Sequence, residues 1–356
     1  MKAARFYGQG DIRIDEVPEP IAKHGQVLVD VAWCGICGSD LHEYLIGPVI
    51  LPTPERPNLI TGVHIPLTLG HELCGTVRDP PSSSRFKNGD QVMVNPLVEC
   101  KSCLACKSGS TQCCAQLGII GGSTGFGGFG QVVAVDEDKI MLLPPGIPLD
   151  FAAVVEPLAV VQHAIKVSGI DHWKDKDVLV VGGGPVGFAM LLCLRAWGAE
   201  KVVVSEPAAL RKQQCSGFAR AVIDPMKEDV GVRCRELTGG KGIDVVFDCA
   251  GVAMALQSAI GAMRFESLYV MVAVWEGLIN VPCWPFLGKH ITMKGSLVYD
   301  DSAMQEVMSL IVEGKLNGWR EMVTGRIGLD GIVGDGFREL IDHKEKHIKI
   351  LVNPQA

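Results

Sequence analysis

Four cysteines, Cys100, Cys103, Cys106 and Cys114, have the spacing C-x2-C-x2-C-x7-C. Four thiolates on one short loop can close a tetrahedral shell around zinc with no open position, which makes a structural site. Cys113 adjoins Cys114 and either could be the fourth ligand; the x7 spacing selects Cys114. With Cys113 these residues put five of the chain's 13 cysteines within fifteen positions. A secreted disulfide framework spreads its cysteines to staple loops, so clustering of this kind points to metal in a reducing compartment.

A second set is dispersed. Cys37 lies in Cys34-Gly35-Ile36-Cys37-Gly38-Ser39-Asp40-Leu41-His42, directly after a strand-like run. His71 and Glu72 lie in Gly70-His71-Glu72, and Glu156 opens Glu156-Pro157-Leu158-Ala159. One thiolate, one imidazole and carboxylates give zinc three or four protein ligands and leave room for water or a substrate oxygen. Taken one at a time, a buried cysteine or a histidine capping a loop is the simpler explanation of each.

The third pattern is Gly182-Gly183-Gly184-Pro185-Val186-Gly187, which fits G-x-G-x-x-G with Gly182, Gly184 and Gly187 in the fixed places. It follows the apolar run Val178-Leu179-Val180-Val181 and opens a helix-like segment, the context a dinucleotide-binding turn requires. Unpaired backbone N–H groups at the start of that helix, whose first turn begins with Pro185 and Val186, face the pyrophosphate. Glu206 ends the next strand, 24 residues after Gly182. A carboxylate there accepts hydrogen bonds from ribose hydroxyls and repels a 2′-phosphate, so NAD is favoured over NADP. Arg211, close behind, softens that preference.

The elements that must position these groups change character along the chain. Residues 1–155 read as short strands between glycines and prolines, with candidates at 27–32, 91–94 and 130–135. Such spacing suggests an irregular antiparallel barrel. The proline-rich stretch between Gly47 and Leu67 is expected to be a long functional loop. From residue 156 buried strands at 178–181, 201–205, 243–247 and 268–274 alternate with helices such as 188–199, the signature of βαβ units and a parallel sheet. After residue 297 come helices at 303–313 and near 334–343 and a strand at 348–352, expected to return to the first domain. The predicted organisation is therefore 1–155 with a zinc lobe at about 98–116, 156–297 for the cofactor, and 298–356 as the return.

A chain of 356 residues, 47% of them hydrophobic, can bury two cores. Its formal charge of -7, without clustered Lys and Arg, argues against nucleic acid or an anionic membrane as partner. The start, Met1-Lys2-Ala3-Ala4-Arg5-Phe6, has no apolar signal core, and a cytoplasmic protein is expected.

Together these motifs resemble the zinc-containing medium-chain alcohol dehydrogenases over nearly the whole chain. The narrower likeness is to the (R,R)-2,3-butanediol dehydrogenase branch, related to sorbitol and threonine dehydrogenases. It rests on Val203-Val204-Ser205-Glu206-Pro207, Val222-Ile223-Asp224-Pro225, the run from Asp244 to Gly251, and Val274-Trp275-Glu276. Two stretches depart from the pattern: Cys215-Ser216-Gly217-Phe218-Ala219-Arg220, and Phe265-Glu266-Ser267 where a glycine is usual.

The resemblance implies an α/β chain with a GroES-like, β-rich catalytic domain and a Rossmann cofactor domain, the catalytic zinc lying between them. It implies Cys37, His71 and Glu156 as ligands of that zinc, with Glu72 either a ligand or an outer carboxylate. Zinc would lower the pKa of a bound hydroxyl. Ser39 would take the proton, His42 would relay it to solvent, and NAD would receive hydride. A homodimer or homotetramer is implied by analogy, formed through residues 268–274 and 279–285. Against this stand a sorbitol- or threonine-type enzyme, a non-catalytic zinc- and NAD-binding protein, and a nucleic-acid-binding zinc protein.

Overall fold

The computed structural model describes residues 1–275 and 278–356, so Glu276 of the narrower match lies outside the described residues. The chain divides into two compact units, Met1–Glu156 with Val323–Ala356, and Pro157–Met322.

The first unit is built on a seven-stranded sheet in the order Ile140–Leu142, Gln91–Val94, Glu72–Arg78, Gln26–Gly35, Lys349–Asn353, Val323–Gly328, with Val132–Asp136 also paired to Gln26–Gly35. In Gln26–Gly35 every second residue turns inward, so Val27, Val29 and Val31 are fully buried while their neighbours are not. Each buried valine contributes about 1.5–3 kcal/mol of apolar transfer. A hairpin, Lys2–Gly8 against Asp11–Glu16, continues into Leu67–Thr68 as a separate small sheet. That hairpin has no strong apolar alternation and is not evident in the sequence. Between Gly47 and Leu67 the chain forms no strand or helix beyond an isolated bridge, Thr53 with Arg56, as the prolines predict.

Register fixes the site. Gly35 pairs with Glu72 on one side and Leu351 on the other, so the end of the Cys37 strand is flanked by the His71–Glu72 strand and the returning C-terminal strand. Gly35 must be glycine, because a Cβ there would overlap the Glu72 carboxylate. Gly70 takes φ +97°, and a Cβ would crowd Cys34 Sγ and the Phe129 backbone.

The second unit carries a six-stranded, wholly parallel sheet in the order Ala221–Ile223, Lys201–Ser205, Asp177–Val181, Ile243–Asp248, Met263–Met271, Thr292–Gly295. This is the doubly wound 3-2-1-4-5-6 order, with its switch point beside Asp177–Val181. The helix after it is Pro185–Ala196, three residues earlier than the apolar run suggests, because Pro185 starts a helix well at its first position.

Two expectations shift. Residues 298–322 belong to the second unit, and the return begins at Val323. The helix Ala303–Val312 is tied there by Glu306, which accepts from Gln162 Nε2 at 2.8 Å and Lys166 Nζ at 2.9 Å. The strand at Met263–Met271 is interior, hydrogen-bonded on both sides, and Thr292–Gly295 is the sheet edge. Self-association by strand pairing therefore cannot use residues 268–271. Among the described residues no helix is long and apolar enough to cross a membrane.

Candidate active site

Cys37 caps the helix Gly38–Ile46, and the Asp40 carboxylate accepts from the Cys37 backbone N–H at 2.9 Å. That reciprocal cap sets the cysteine at the end of its strand while Ser39 and His42 ride the first turns of the helix. Ser39 Oγ lies 3.5 Å from His71 Nε2. His42 is half-buried, three residues and so one turn further along.

The ligand atoms of Cys37, His71 and Glu72 lie within 4.8 Å of one another, and His71 and Glu72 are buried. Glu156 lies outside that cluster, in the first turn of the helix Val155–Ser168, yet its charge acts on His71. Burial works to push the His71 imidazole down, but Asp40, Cys37 and Glu156 outweigh it and hold its pKa well above the ordinary value. A buried place where anions so outnumber cations suits a divalent metal. Glu72 Oε2 is buried without a hydrogen-bond partner among the described residues, an atom of the type a metal would satisfy, while His71 Nδ1 faces the Asp40 carboxylate at 3.7 Å.

The sequence reading passed over one cation. Lys349 Nζ donates to Glu72 Oε1 at 2.6 Å and to the Ile36 carbonyl at 3.0 Å, with its side chain 2% exposed and that of Glu72 0%. Burial opposes the charge on Lys349, but Glu72, Cys37 and Glu156 prevail and raise its pKa. The signal was a single lysine inside the apolar run Ile348-Lys349-Ile350-Leu351-Val352. Lys349 joins three segments far apart in sequence, the Cys37 approach, the Glu72 strand and the returning strand.

A small cleft lies beside this cluster, lined by Ser39, Asp40, Glu43 and His71 on its polar side and by Ile50, Leu51, Leu69 and Ile119 on its walls.

The cysteine lobe forms a second cluster. Cys100, Cys103, Cys106 and Cys114 have ligand atoms within 4.8 Å of one another, whereas Cys113 is exposed. Backbone N–H groups of Cys103 and Gln116 point at the sulfurs of Cys100 and Cys114, at 3.3 and 3.4 Å. Hydrogen bonds led by that from Ser102 lower the Cys100 thiol to about 6, while burial raises Cys106 to about 12. Four facing sulfurs with N–H support are the donor set of a closed zinc site.

In the second unit Gly182 has φ +91°, and a Cβ at Gly187 would overlap the Gly182 carbonyl, so helix and turn can meet this closely only through glycine. Glu206 is 4% exposed, and its two oxygens accept from Gly183 N at 2.6 Å and Ala208 N at 2.7 Å. The Arg211 guanidinium lies over the turn, 3.3 Å from where a Gly184 Cβ would stand. Gly182, Gly184, Glu206 and Arg211 thus gather at the mouth of the sheet's switch point, and Pro185 and Val186 start the helix.

Known families share these patterns in the same order. Residues 23–145 match the alcohol dehydrogenase GroES-like domain and residues 185–313 the zinc-binding dehydrogenase domain. The chain is 37% identical to an (R,R)-butanediol dehydrogenase of Neisseria gonorrhoeae, over 99% of each chain. It is 35% identical to an (R,R)-butanediol dehydrogenase of Saccharomyces cerevisiae, covering 99% of this chain and 98% of that one. The crystal structure of 2R,3R-butanediol dehydrogenase from Bacillus subtilis superposes with a TM-score of 0.91 at 35% identity, over 99% of both chains. Likeness of this extent, on top of a metal-type cluster in one unit and a dinucleotide turn in the other, places the chain in the zinc-binding alcohol dehydrogenase family, oxidoreductases that work with zinc and a nicotinamide dinucleotide.

Proposed function

We propose that the enzyme interconverts a small vicinal diol of the (R,R)-2,3-butanediol type and its hydroxyketone, acetoin, with NAD. The observation that carries this reading is the pocket itself. Its polar lining is Ser39, His71 and the carboxylates of Asp40 and Glu43, both of which accept from backbone N–H groups, and its walls are the aliphatic Ile50, Leu51, Leu69 and Ile119. Those walls suit methyl-sized ends and would strand the hydroxyls of a long polyol.

The proposed ligands of the catalytic zinc are Cys37 and His71 with a carboxylate. Glu72 is the carboxylate that stands with them, and Glu156 adds its charge from nearby. When bound, zinc supplies Lewis acidity that eases loss of the alcohol proton, and NAD accepts the hydride. Ser39 Oγ, at the pocket's polar end, takes that proton, and His42, one turn on, passes it towards solvent. Glu206 selects NAD by offering its carboxylate to the ribose hydroxyls, while Arg211 tempers the selection. Cys100, Cys103, Cys106 and Cys114 hold a second, structural zinc.

The test is reduced-nicotinamide formation by wild type and Cys37→Ser on (R,R)-2,3-butanediol, meso-butanediol, sorbitol and L-threonine, with zinc measured on the same samples. Selective turnover of butanediol, lost together with one zinc per chain in the variant, is expected. Preferred turnover of sorbitol or threonine would refute the diol assignment, and no turnover by a zinc-loaded chain would refute the enzyme reading.

We further propose a homodimer or homotetramer. The edge strand Thr292–Gly295 is flanked by exposed apolar side chains, Trp284 at 79%, Leu287 at 67% and Leu297 at 58%. Light scattering on wild type and Trp284→Glu tests it: an oligomer reduced by the variant is expected, and a monomeric wild type overturns it.

A further inference from the structure

Glu43 is a buried carboxylate that the chemistry above does not use. It lies on the helix Gly38–Ile46, four residues after Ser39 and so on the same face, with 3% of its surface exposed. Both of its oxygens are committed to the loop that follows the helix. Oε2 accepts from the Val49 backbone N–H at 2.8 Å, and Oε1 accepts from that of Ile50 at 2.8 Å. On the outer side of the same loop, Arg56 Nη2 donates to the Val49 carbonyl at 3.0 Å.

The loop so held contributes a wall of the substrate pocket. Ile50 and Leu51 border it together with Ser39, His71 and Glu43 itself, and Leu51 is 4% exposed while Ile50 is 68% exposed. Residues 48–51 belong to no strand or helix, so no sheet ladder fixes where that wall stands. Its position relative to Ser39 is set by the fork of Glu43 at Val49 and Ile50, with Leu51 packed in the core beyond it. A carboxylate accepting two backbone N–H groups is a strong, directional anchor, stronger than a neutral acceptor could give.

We propose that Glu43 is a positioning residue for substrate specificity: by clamping Val49 and Ile50 to the helix that bears Ser39, it holds an aliphatic wall at the distance that admits a short diol with methyl ends and rejects longer, polyhydroxylated chains. The proposal rests on the diol reading of the pocket, and its test separates the two.

The holoenzyme would be compared as wild type, Glu43→Gln, Glu43→Ala and Leu51→Ala, with (R,R)-2,3-butanediol and sorbitol as substrates. Zinc content and NADH binding are measured alongside, and both should stay at wild-type values. For Glu43→Ala the KM for butanediol should rise about tenfold with kcat within about twofold, and the kcat/KM preference for butanediol over sorbitol should fall about tenfold, as loss of a pocket contact does. Glu43→Gln keeps one acceptor oxygen and should fall between, and Leu51→Ala should relax the same preference. A Glu43→Ala preference equal to wild type, or a fall in kcat at unchanged KM, overturns the proposal.

The second readout does not need activity. Hydrogen exchange of the Val49 and Ile50 amides should be protected in wild type, at least about tenfold faster for both in Glu43→Ala, and faster for one of the two in Glu43→Gln. Unchanged protection overturns the clamp even in an enzyme with the expected substrate. Loss of protection in a chain that turns over no diol would keep the clamp and refute the diol reading alone.

Discussion

Replacing Lys349 with methionine should expose how the metal-type cluster is held together. The substitution keeps most of the volume and removes the cation that, among the described residues, meets Glu72. Both side chains are sealed from solvent, at 2% and 0% exposure, so water cannot take the place of the ammonium. Breaking a buried ion pair by removing one partner costs about 3–5 kcal/mol, because the remaining charge is left uncompensated. Loss of the hydrogen bond to the Ile36 carbonyl, 3.0 Å in the structure, adds about 1 kcal/mol. Together these should lower the melting temperature of the metal-free protein by about 8–24 °C, at roughly 2–4 °C per kcal/mol for a unit of this size. Adding Glu72→Gln removes the stranded charge, so the double variant should recover about 2 kcal/mol of the loss. The same logic predicts that zinc partly rescues the single variant, since an unpaired carboxylate beside Cys37 and His71 is a better partner for a divalent cation. Its zinc affinity should rise at least about tenfold. Thermal denaturation and competition with a chelator, on the single and double variants, measure both effects. A loss under about 1 kcal/mol in the metal-free single variant, or a double variant no better than the single, would refute the reasoning.

Three other outcomes follow from the geometry. Cys114→Ser should lose the structural zinc, because its sulfur stands with those of Cys100, Cys103 and Cys106, whereas exposed Cys113→Ser should retain the full zinc content; metal analysis of the two separates them. Glu206→Gln removes the negative charge that opposes a 2′-phosphate, so kcat/KM with NAD should fall about tenfold and the preference over NADP should narrow, measured as reduced-cofactor formation with each. In Gly187→Ala the new methyl would overlap the Gly182 carbonyl, so calorimetry should show NADH binding weakened at least about tenfold while zinc content is unchanged.

Much of the fold was legible because its signals are local. Four apolar residues in a row at Val178–Val181 and a glycine turn before a helix identify a parallel-sheet cofactor unit without any knowledge of what lies next to it. The cysteine lobe is equally local, its four sulfurs coming from fifteen residues of chain. The N-terminal hairpin is hard to see because Asp11–Glu16, Asp-Ile-Arg-Ile-Asp-Glu, alternates over only two isoleucines and its partner Lys2–Gly8, Lys-Ala-Ala-Arg-Phe-Tyr-Gly, does not alternate at all. The return starts at 323, 25 residues later than the 298 expected, because the apolar stripe of Ala303–Val312 (Met304, Val307, Met308, Ile311) shows that the helix packs on a core but not on which unit's, and its polar ties, Gln162 and Lys166 on Glu306, are distant in sequence.

The candidate metal cluster divides along the same line. Cys37, His71 and Glu72 were legible as ligand types within short motifs, but not as neighbours, since bringing them together depends on the pairing of Gly35 with Glu72. Register also explains why Lys349 escaped notice. Its partner is 277 residues away, and the strand that carries it reaches the site only because Leu351 pairs with Gly35 from the side opposite Glu72. One glycine therefore meets both neighbours of the site, and its missing Cβ leaves the room that the Glu72 carboxylate occupies. Sliding either strand by one residue would turn Glu72 or Lys349 to the other face of the sheet and leave its partner buried and unpaired. The ion pair thus penalises every register but one, and the arrangement that could bind a metal is also the arrangement in which the returning strand is best satisfied.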